Sequence, residues 1–518
     1  MKARWKIWIA LAGCVLVTAG VCLTAHIQAA KEVEAYKQFL RGRGEKLDLT
    51  EVLPPPAAPA ENSAHAFQAA VGLFRPAMDD YSVMRMVAPG KAETGWQQPD
   101  FHGYDFTNSW TEYRARIAVD WPAVELLHQV LDRPKLDFGL DYKIGSATPM
   151  TPLVSMKRAA QKLVEVAMLD LHDGDAGGAA TNVLTMLALV QRDHRDNLLI
   201  GHLVRIAIVS IAVAPTWELL QATNLTDGQL AAVQSGWQEL DFLKDMERTM
   251  ATERVWVDGE IQQDRASHQE FKALAGSAAA MSATISGGGG SGGGWDWKFL
   301  IDAPRYAVAE VMWRSSWSYG EELQLLKTHQ IALETLRAMQ TNRSEFYKAD
   351  YDVMMTNLSV LGATNGNGAN LGGAFFQALD IPDFQEEFGV NGIIGPSVLR
   401  KNLQVETARR VVVAATALKR FELKHAKLPA TLAELTPEFL ASLPIDPYDG
   451  KPLKYHPNDD GTFVLYSVGD DGIDNGGDVT PAKASLTPYA SWQRGRDWVW
   501  PQPATPAEVQ HFHEHPPQ

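Results

Sequence analysis

The feature that most constrains this chain is a long apolar run near its first residue. Residues 7–25, IWIALAGCVLVTAGVCLTA, contain no charged side chain, and Lys2, Arg4 and Lys6 precede them. A helix of about 20 apolar residues crosses the hydrocarbon core of a bilayer, and positive charge before such a helix keeps that end in the cytoplasm. The pattern predicts a single-pass membrane anchor within residues 1–30, with the rest of the chain outside the cytoplasm.

Two other N-terminal signals remain open. Small residues at 26–30 offer a poor cleavage site for a secretory signal. The letters LAGC at 11–14 read like a lipobox, which would place a lipid on Cys14. Apolar sequence continues past Cys14, whereas a lipidated cysteine is normally followed by polar chain, so we favour the uncleaved anchor. In a bacterial cell this predicts a helix in the inner membrane and a body in the periplasm.

Length and composition narrow the classes of protein. The chain has 518 residues, which predicts several domains. Its 62 acidic against 47 basic residues give a net charge of -15, so we expect no nucleic-acid partner, because such a partner needs a basic surface. The only two cysteines, Cys14 and Cys22, lie in the apolar run. The rest of the chain therefore has no disulfide, no cysteine-based zinc site and no cysteine nucleophile.

Helical periodicity predicts a mainly α chain, with small-residue-rich helices joined by short polar turns into hairpins. A run of glycines inside the helical region predicts a flexible loop. Shifts in composition divide the chain into a membrane anchor (1–30), a juxtamembrane helix with a Pro-rich spacer and a mixed region (31–150), a helical domain (151–397) with the Gly-rich loop (286–294), a small α+β domain (398–501) and a disordered tail (502–518).

The C-terminal α+β region carries the most specific motifs. They are LPATLAELTPEFL at 428–440, LPIDPYDGKPLKY at 443–455 and LYSVGDDGIDNGG at 465–477. Residues 451–456 and 462–468 alternate as two strands joined by a turn. Together these elements resemble the globular head of the major pseudopilins of type II secretion systems. The whole chain resembles uncharacterised membrane-anchored bacterial envelope proteins.

Four aspartates crowd the loop that follows the second strand. Asp470, Asp471, Asp474 and Asp478 lie among glycines, in a stretch that we call the acidic loop, residues 469–478. Like charges held this close repel one another unless water or a cation neutralises them. Calcium takes six to eight oxygen ligands, and such a loop supplies carboxylates and free carbonyls. We therefore predict a calcium site, with a solvated acidic turn as the alternative.

The resemblance to pseudopilin heads implies calcium at the same place. In that family the loop after the last strand binds calcium, and Asp471 with Gly472 matches its Asp-Gly pair. Ser467 matches the family's serine, and the glycines at 476–477 match its paired glycines. Asp497 corresponds to an aspartate close to the family's C-terminus. The predicted calcium ligands are then Ser467, Asp470, Asp471, Asp474, Asp478 and Asp497.

The chain also departs from the pseudopilin pattern. Pseudopilins begin with a short basic leader followed by Gly-Phe-Thr-Leu-x-Glu, and the first 30 residues contain neither this motif nor an acidic residue. In the family the anchor helix runs directly into the head, whereas here residues 31–397 intervene. The resemblance therefore supports a fold for the C-terminal domain and not a secretion role for the whole chain, and it leaves assembly into a filament open.

No hydrolase, phosphate-loop or dinucleotide motif is present in the sequence. Four carboxylates with two arginines fall on one predicted helix, and interleaved charges of this kind indicate a solvated face rather than an acid–base pair. The carboxylates are Glu247, Glu253, Asp258 and Glu260, and the arginines are Arg248 and Arg254. His194 and His202 do not form a joint metal site if a break near Asn197 ends the helix between them.

Two C-terminal features have structural explanations. The HFHEH stretch at 511–515 is typical of a disordered tail. Trp498 and Trp500, with Arg494 and Arg496 before them, are expected to hold the C-terminal chain against the α+β domain. A platform for stacking carbohydrate is the alternative for these tryptophans.

These expectations combine into one functional hypothesis. The sequence predicts a non-enzymatic, membrane-anchored scaffold or interaction protein with protein partners in the cell envelope. Its C-terminal domain is expected to be stabilised by calcium. A part in type II secretion or pilus-like machinery is the more specific form of this hypothesis. One alternative is an extracytoplasmic hydrolase with its site in the helical domain. The other is a carbohydrate- or solute-binding protein that uses the aromatic residues between 101 and 121.

Overall fold

The protein is mainly helical, as predicted, with 68% helix and a small three-stranded sheet. The computed structural model describes residues 2–74, 110–193, 195–267, 310–311, 313–341, 396–480 and 495–503, together with a few single residues at 353, 356, 357, 493, 505, 507, 510 and 514. The Gly-rich loop at 286–294 and most of the predicted C-terminal tail lie outside these residues.

The described α-helices and strands follow one another along the chain. They are α1 (Lys2–Gly42), α2 (Leu49–Val52), α3 (Ala64–Leu73), α4 (Trp110–Ala118), α5 (Trp121–His128), α6 (Thr151–Asp173), α7 (Ala176–Arg192), α8 (Leu199–Gln221), α9 (Asp227–Gln238), α10 (Phe242–Ala266), α11 (Ser318–Thr341), α12 (Pro396–His425), β1 (Lys454–Pro457), β2 (Phe463–Ser467) and β3 (Trp498–Val499). Short 3₁₀ turns lie at Gln129–Asp132, Tyr142–Ala147 and Leu432–Leu435, and a π-helical turn at Trp313–Trp317 precedes α11.

The predicted anchor and the predicted juxtamembrane helix form one continuous helix, α1, of 41 residues. The second half of α1 packs on the body. Val33 and Leu40 are buried together with Leu326 of α11. The Lys37 Nζ donates to Asp258 of α10 at 2.8 Å and to Glu322 of α11 at 2.5 Å. Apolar contact and an ion-paired lysine therefore fix the direction in which α1 leaves the body.

The Pro-rich segment at 54–62 is tied to the body. The Ala57 N–H donates to the Asp137 carboxylate at 2.8 Å, and the Asn62 side chain donates to the Asp137 carbonyl at 2.8 Å. The Ser63 N–H and Lys135 carbonyl bond at 2.8 Å. The segment follows the body's surface because its few backbone donors find partners there, rather than extending away as a free spacer.

Helices α6 to α9 pack side by side, joined by the short polar turns that the sequence predicts. Gly174 ends α6 in the left-handed conformation with φ 81°, and Asp175 caps α7 by accepting from the Gly178 N–H at 2.8 Å. A capping box of Thr226 and Gln229 begins α9. The sequence predicts that the helix after Asn197 ends near residue 213. Instead, α8 continues through an internal proline, since its last turns are buried in the core.

In the described part of the chain, α8 is the one helix long and apolar enough to cross a membrane by length and composition. However, 61% of its apolar window is buried inside the protein. It packs against α6, α7 and α12. The apolar run at 7–25 lies in α1, and its side chains up to residue 19 are not described. The membrane anchor therefore stays a prediction.

The C-terminal region combines the end of α12 with a three-stranded sheet of order β1-β2-β3, in which both pairings are antiparallel. The two predicted strands are confirmed, with Tyr455 opposite Leu465. Thr436 followed by Pro437 is a pattern that predicts the start of a further helix, and this prediction is wrong. The Phe439 and Leu440 N–H groups both bond to the Leu435 carbonyl, at 2.8 and 3.0 Å, which closes a turn instead.

One hydrophobic core joins the helical region to the C-terminal sheet. At the junction the Trp217 indole N–H of α8 donates to the Pro501 carbonyl at 2.8 Å, and the Gln234 amide of α9 donates to the Phe439 carbonyl at 2.6 Å. Both side chains are buried. The buried carbonyls at 439 and 501 thus take their hydrogen bonds from helices of the other region, which holds the two regions in a fixed arrangement.

We expect Trp217→Phe to destabilise the whole protein by about 1–3 kcal/mol, because it leaves the Pro501 carbonyl without its donor in the core. Denaturant unfolding followed by circular dichroism measures this change. The matched control is Trp121→Phe, since Trp121 is 41% exposed. A control change within about 0.5 kcal/mol is expected for such a surface site. Equal stability of Trp217→Phe and the wild type would contradict the prediction.

Candidate functional site

The acidic loop connects β2 to the chain that returns in β3, and a buried aspartate organises it. The Asp497 carboxylate lies directly before β3 and is fully buried. It accepts backbone N–H groups from Asn475 at 3.1 Å, Gly477 at 2.7 Å and Asp478 at 3.0 Å. Burial raises the pKa of Asp497, and the three donors oppose that rise. The end of the loop is therefore wrapped around one carboxylate from the returning strand.

The other aspartates of the acidic loop hold local turns. Asp474 accepts the Tyr466 hydroxyl at 2.9 Å and the Gly476 N–H at 3.1 Å, and the Gly476 bond is the main cause of its lowered pKa. Asp471 accepts the N–H two residues ahead at 2.9 Å, and so does Asp478. Asp470, Asp471 and Asp474 are exposed. Their remaining carboxylate oxygens therefore lie at the surface of the domain.

Ser467 serves a different site from the one predicted. Its hydroxyl is buried and donates to the Asp446 carboxylate at 2.9 Å. Asp446 also accepts the N–H groups of Val468 at 2.8 Å and Tyr448 at 3.0 Å. Asp446 is the aspartate of the LPIDP motif, and the sequence prediction missed its role. It joins the segment before β1 to the end of β2.

The six predicted calcium ligands do not form one coordination set in this arrangement. Ser467 donates to Asp446, and the Asp497 carboxylate is already engaged by three amides. Within the described residues, no three acidic, histidine or cysteine side chains are grouped closely enough to hold a metal ion. Only the exposed aspartates of the acidic loop keep oxygens that no protein donor occupies by the bonds above.

The predicted solvated face of α10 is wrong for Glu253, Arg254 and Asp258, which are buried. Glu247 and Glu260 are half-buried, and Arg248 is exposed. Asp258 pairs with Lys37, and Glu247 accepts the Arg337 guanidinium at 2.7 Å. The fully buried Arg254 donates to Glu45 at 3.0 Å. The charges point inwards because α1, the chain after it and α11 cover this face of α10, and sequence periodicity does not show partners that lie so far away in the chain.

Glu253 is buried for another reason, because it stands at the start of α8. Its carboxylate accepts the Leu199 N–H at 2.9 Å, which satisfies one of the free donors of that helix end. Burial raises the pKa of Glu253 to about 7. Its hydrogen-bond partner is therefore structural, and among the described residues no second carboxylate or histidine is hydrogen-bonded to it.

The histidine and tryptophan predictions have clear outcomes. The predicted break near Asn197 is confirmed, since α7 ends at 192 and α8 begins at 199. His202 is buried with Nε2 2.7 Å from the Asn402 side-chain oxygen, and burial lowers its pKa to about 4.

Trp498 and Trp500 are buried in the core. A buried indole cannot stack on a carbohydrate, so the platform alternative is wrong. His194 and Arg494 lie outside the described residues.

Of the aromatic residues between 101 and 121, those before 110 lie outside the described residues. Trp110 stacks on His172 with ring centroids 3.8 Å apart. Its ring is thus occupied by a neighbour in the protein.

The connection between α7 and α8 borders a polar cavity of about 330 Å³, which the sequence prediction missed. We call it the α7–α8 cavity. The polar residues that line it are Gln191, Asp193, Asn197, Arg205, Glu239, Asp245 and Arg248. Asp193, Asn197 and Arg205 are buried. The sequence signal was weak, because these residues come from three helices and the turns between them.

Two of the three carboxylates that line the α7–α8 cavity are paired with arginines. Asp193 pairs with Arg205, and Asp245 pairs with Arg248.

No family model, no curated protein and no solved structure matches the chain. The pseudopilin resemblance therefore rests on the C-terminal motifs themselves.

The raised pKa of Glu253 predicts a pH-dependent stability. In the folded protein this carboxyl takes up its proton near pH 7, against an ordinary value of 4.5. The contribution of Glu253 to stability is full below pH 4.5 and is lost as the pH rises through 7, by about 1.4 kcal/mol per pH unit. We expect Glu253→Gln to melt above the wild type at pH 8 and to approach it at pH 5.

Thermal melts at pH 5, 6.5 and 8 test this expectation. Glu125→Gln is the matched control, because Glu125 is an exposed glutamate of α5. It should leave the pH dependence unchanged. A Glu253→Gln variant that is equally destabilised at all three pH values would mean that the carboxylate is needed in its ionised form.

Proposed function

We propose that this protein is a non-enzymatic, single-pass envelope protein, anchored in the inner membrane by α1, whose body is a rigid interaction unit in the periplasm. The single observation that carries the proposal is the contrast between the two halves of α1. In the second half, Val33 and Leu40 are buried against the body. At the end of the apolar run and just after it, Leu23 is 59% exposed and Ile27 is 43% exposed.

An apolar helix face that is exposed to water is unfavourable. Burial of a leucine-sized side chain stabilises a protein by about 1.5–3 kcal/mol, and this free energy is not gained while the side chain stays in water. The part of the body that the structure describes does not cover the helix at Gly20, Leu23 and Ile27, and the first two of these belong to the uncharged run. A bilayer supplies an apolar environment of the right length, and the basic residues 2–6 match the cytoplasmic side.

The body fits a scaffold because its parts are locked together. The helical region and the C-terminal sheet share one core, and buried hydrogen bonds cross their junction. The net charge of -15 disfavours nucleic acid as a partner. The partners we propose are therefore proteins of the cell envelope. A part in type II secretion is one specific form of this role and rests on the pseudopilin resemblance alone.

The anchor is tested by membrane fractionation in a Gram-negative host. We expect the full chain to sediment with the inner membrane, to resist carbonate extraction and to dissolve in detergent. The double variant Val15→Asp/Leu16→Asp should release it, because charge at the centre of a spanning helix costs about 2.5–3.5 kcal/mol per residue. The matched control Val15→Ile/Leu16→Ile should stay in the membrane.

One substitution and one fusion test the type of anchor and the orientation of the chain. Cys14→Ala should leave fractionation unchanged, whereas release by this substitution would identify a lipid anchor. A phosphatase that is active only in the periplasm, fused after residue 518, should be active. A soluble wild-type protein, or an inactive fusion, would contradict the proposed anchor and orientation.

Calcium binding by the acidic loop is a second part of the proposal. Two facts support it: the resemblance to pseudopilin heads, and the eight aspartates against two lysines between residues 446 and 478. Since Ser467 and Asp497 are engaged elsewhere, the exposed carboxylates of Asp470, Asp471 and Asp474 are the ones we propose to meet the ion. Oxygen donors of this kind suit calcium.

Thermal melting of the full chain, first in chelator and then in millimolar calcium, tests this part. We expect calcium to raise the melting temperature of the wild type and of the control Asp460→Ala, an exposed aspartate in the β1–β2 turn. Asp471→Ala should abolish the rise. Asp497→Asn should lower the melting temperature even in chelator, because three amides lose their carboxylate.

The outcomes distinguish a metal-dependent loop from a metal-free one. A wild type that calcium does not affect, together with a silent Asp471→Ala, would contradict calcium binding. A large effect of Asp497→Asn in that case would mean that amide bonds to a buried carboxylate stabilise the loop by themselves.

A further inference from the structure

The α7–α8 cavity contains a buried cation with an unused donor. Arg205 of α8 is 2% exposed. Its Nη1 donates to the Asp196 carbonyl and reaches the Asp193 carboxylate only at 3.4 Å. Its Nε has no hydrogen-bond partner among the residues that the structure describes. A buried donor left unpaired costs about 1–3 kcal/mol, and more when it is charged, so a ligand with an acceptor would recover that free energy.

The protein itself neutralises Arg205 incompletely. Burial, followed by the charge of Asp196, raises the pKa of Asp193 well above its ordinary value. Asp196 has a raised pKa for the same first reason, and its Oδ1 accepts the Tyr142 hydroxyl at 2.8 Å. Within the described residues, the one carboxylate that ion-pairs with Arg205 is Asp193, at a long 3.4 Å. An anionic group of a ligand would supply the missing counter-charge.

The solvent-exposed part of the cavity lining contains a carboxylate as well as a second arginine. Glu239, in the turn after α9, is exposed and accepts only a 3.3 Å hydrogen bond from the Ser235 hydroxyl among its described contacts. Arg248 is half exposed and shares its charge with Asp245. Arginines and carboxylates therefore line the same small space. Its three carboxylates outnumber its two guanidinium groups, so at least one carboxylate has no ion-pair partner within the lining.

We propose that the α7–α8 cavity binds a small zwitterion of the amino-acid class. The ligand carboxylate bonds to Arg205 and Arg248, and its ammonium group bonds to Glu239. Val190 and Leu240 also line the cavity and give a short aliphatic side chain an apolar contact. A volume of about 330 Å³ is at the lower end for ligand pockets, which suits an amino acid or a dipeptide. The site is independent of the membrane anchor and of calcium.

Isothermal titration of the detergent-solubilised full chain tests the proposal. The probes are L-alanine, L-serine and glycylglycine, each titrated separately. We expect at least one of them to bind saturably. N-acetyl-L-alanine lacks the ammonium group and L-alaninamide lacks the carboxylate, so each should bind at least about tenfold more weakly than L-alanine, or about 1.4 kcal/mol.

Two exposed lining residues give variants that keep the fold. We expect Arg248→Gln and Glu239→Gln each to weaken binding at least about tenfold, or about 1.4 kcal/mol. Arg114→Gln is the matched control, because Arg114 is an exposed arginine paired with Asp173 and lies outside the cavity lining. It should leave the affinity unchanged, and a melting curve checks that each variant is folded.

Three results would overturn the proposal. The first is the absence of binding by all three zwitterions at millimolar concentration. The second is equal affinity for a zwitterion and for the derivative that lacks one of its charges. The third is binding that neither Arg248→Gln nor Glu239→Gln changes.

Discussion

The two halves of this fold depend on the packing of one helix, α12. Val411, Val412, Ala414 and Leu418 of α12 are buried, and the helix contacts α8, α9 and α10 as well as β2. A helix that is apolar on several sides is stable only when neighbours enclose it. The core of α6 to α9 and the C-terminal sheet each supply part of that enclosure. Neither half, taken alone, would cover α12.

This packing explains why a charged cluster lies inside the protein. Glu406 of α12 is buried beside Arg409 and Arg410, with distances of 2.6 Å to each. Burial by itself would raise the pKa of Glu406, but the two arginines outweigh burial and hold the pKa at about 2. Arg410 also donates to the Ile445 carbonyl at 2.7 Å. Buried ion pairs add little net stability, yet removal of one partner is costly, so this cluster fixes the position of the segment before β1.

The sequence predicted the elements whose signals are local. The break near Asn197 and the strand pair around Tyr455 and Leu465 depend on neighbours within a few residues. The site was predicted only in part. The aspartates of the acidic loop share one loop, as expected, but Ser467 bonds to Asp446 and leaves that set.

Features formed by distant parts of the chain were missed. The α10 network depends on Lys37, Glu45 and α11, which are separated from it by long stretches of sequence. The α7–α8 cavity depends on how two turns and the start of α10 pack together. Periodicity records which side of a helix is apolar, but not which distant charge will cover a polar side. For that reason α10 looked like a solvated helix in the sequence.

The docking of α1 has a consequence for where the body lies. The uncharged run ends at Ala25, and the next side chain, His26, already contacts the body, with Nδ1 2.6 Å from the Ser315 carbonyl oxygen. With the proposed anchor there is thus no stalk between the bilayer and the folded part. From His26 to Gly42 the helix rises about 25 Å along the body. The protein would rest on the lipid headgroups, and the docked part of α1 would set its height and tilt.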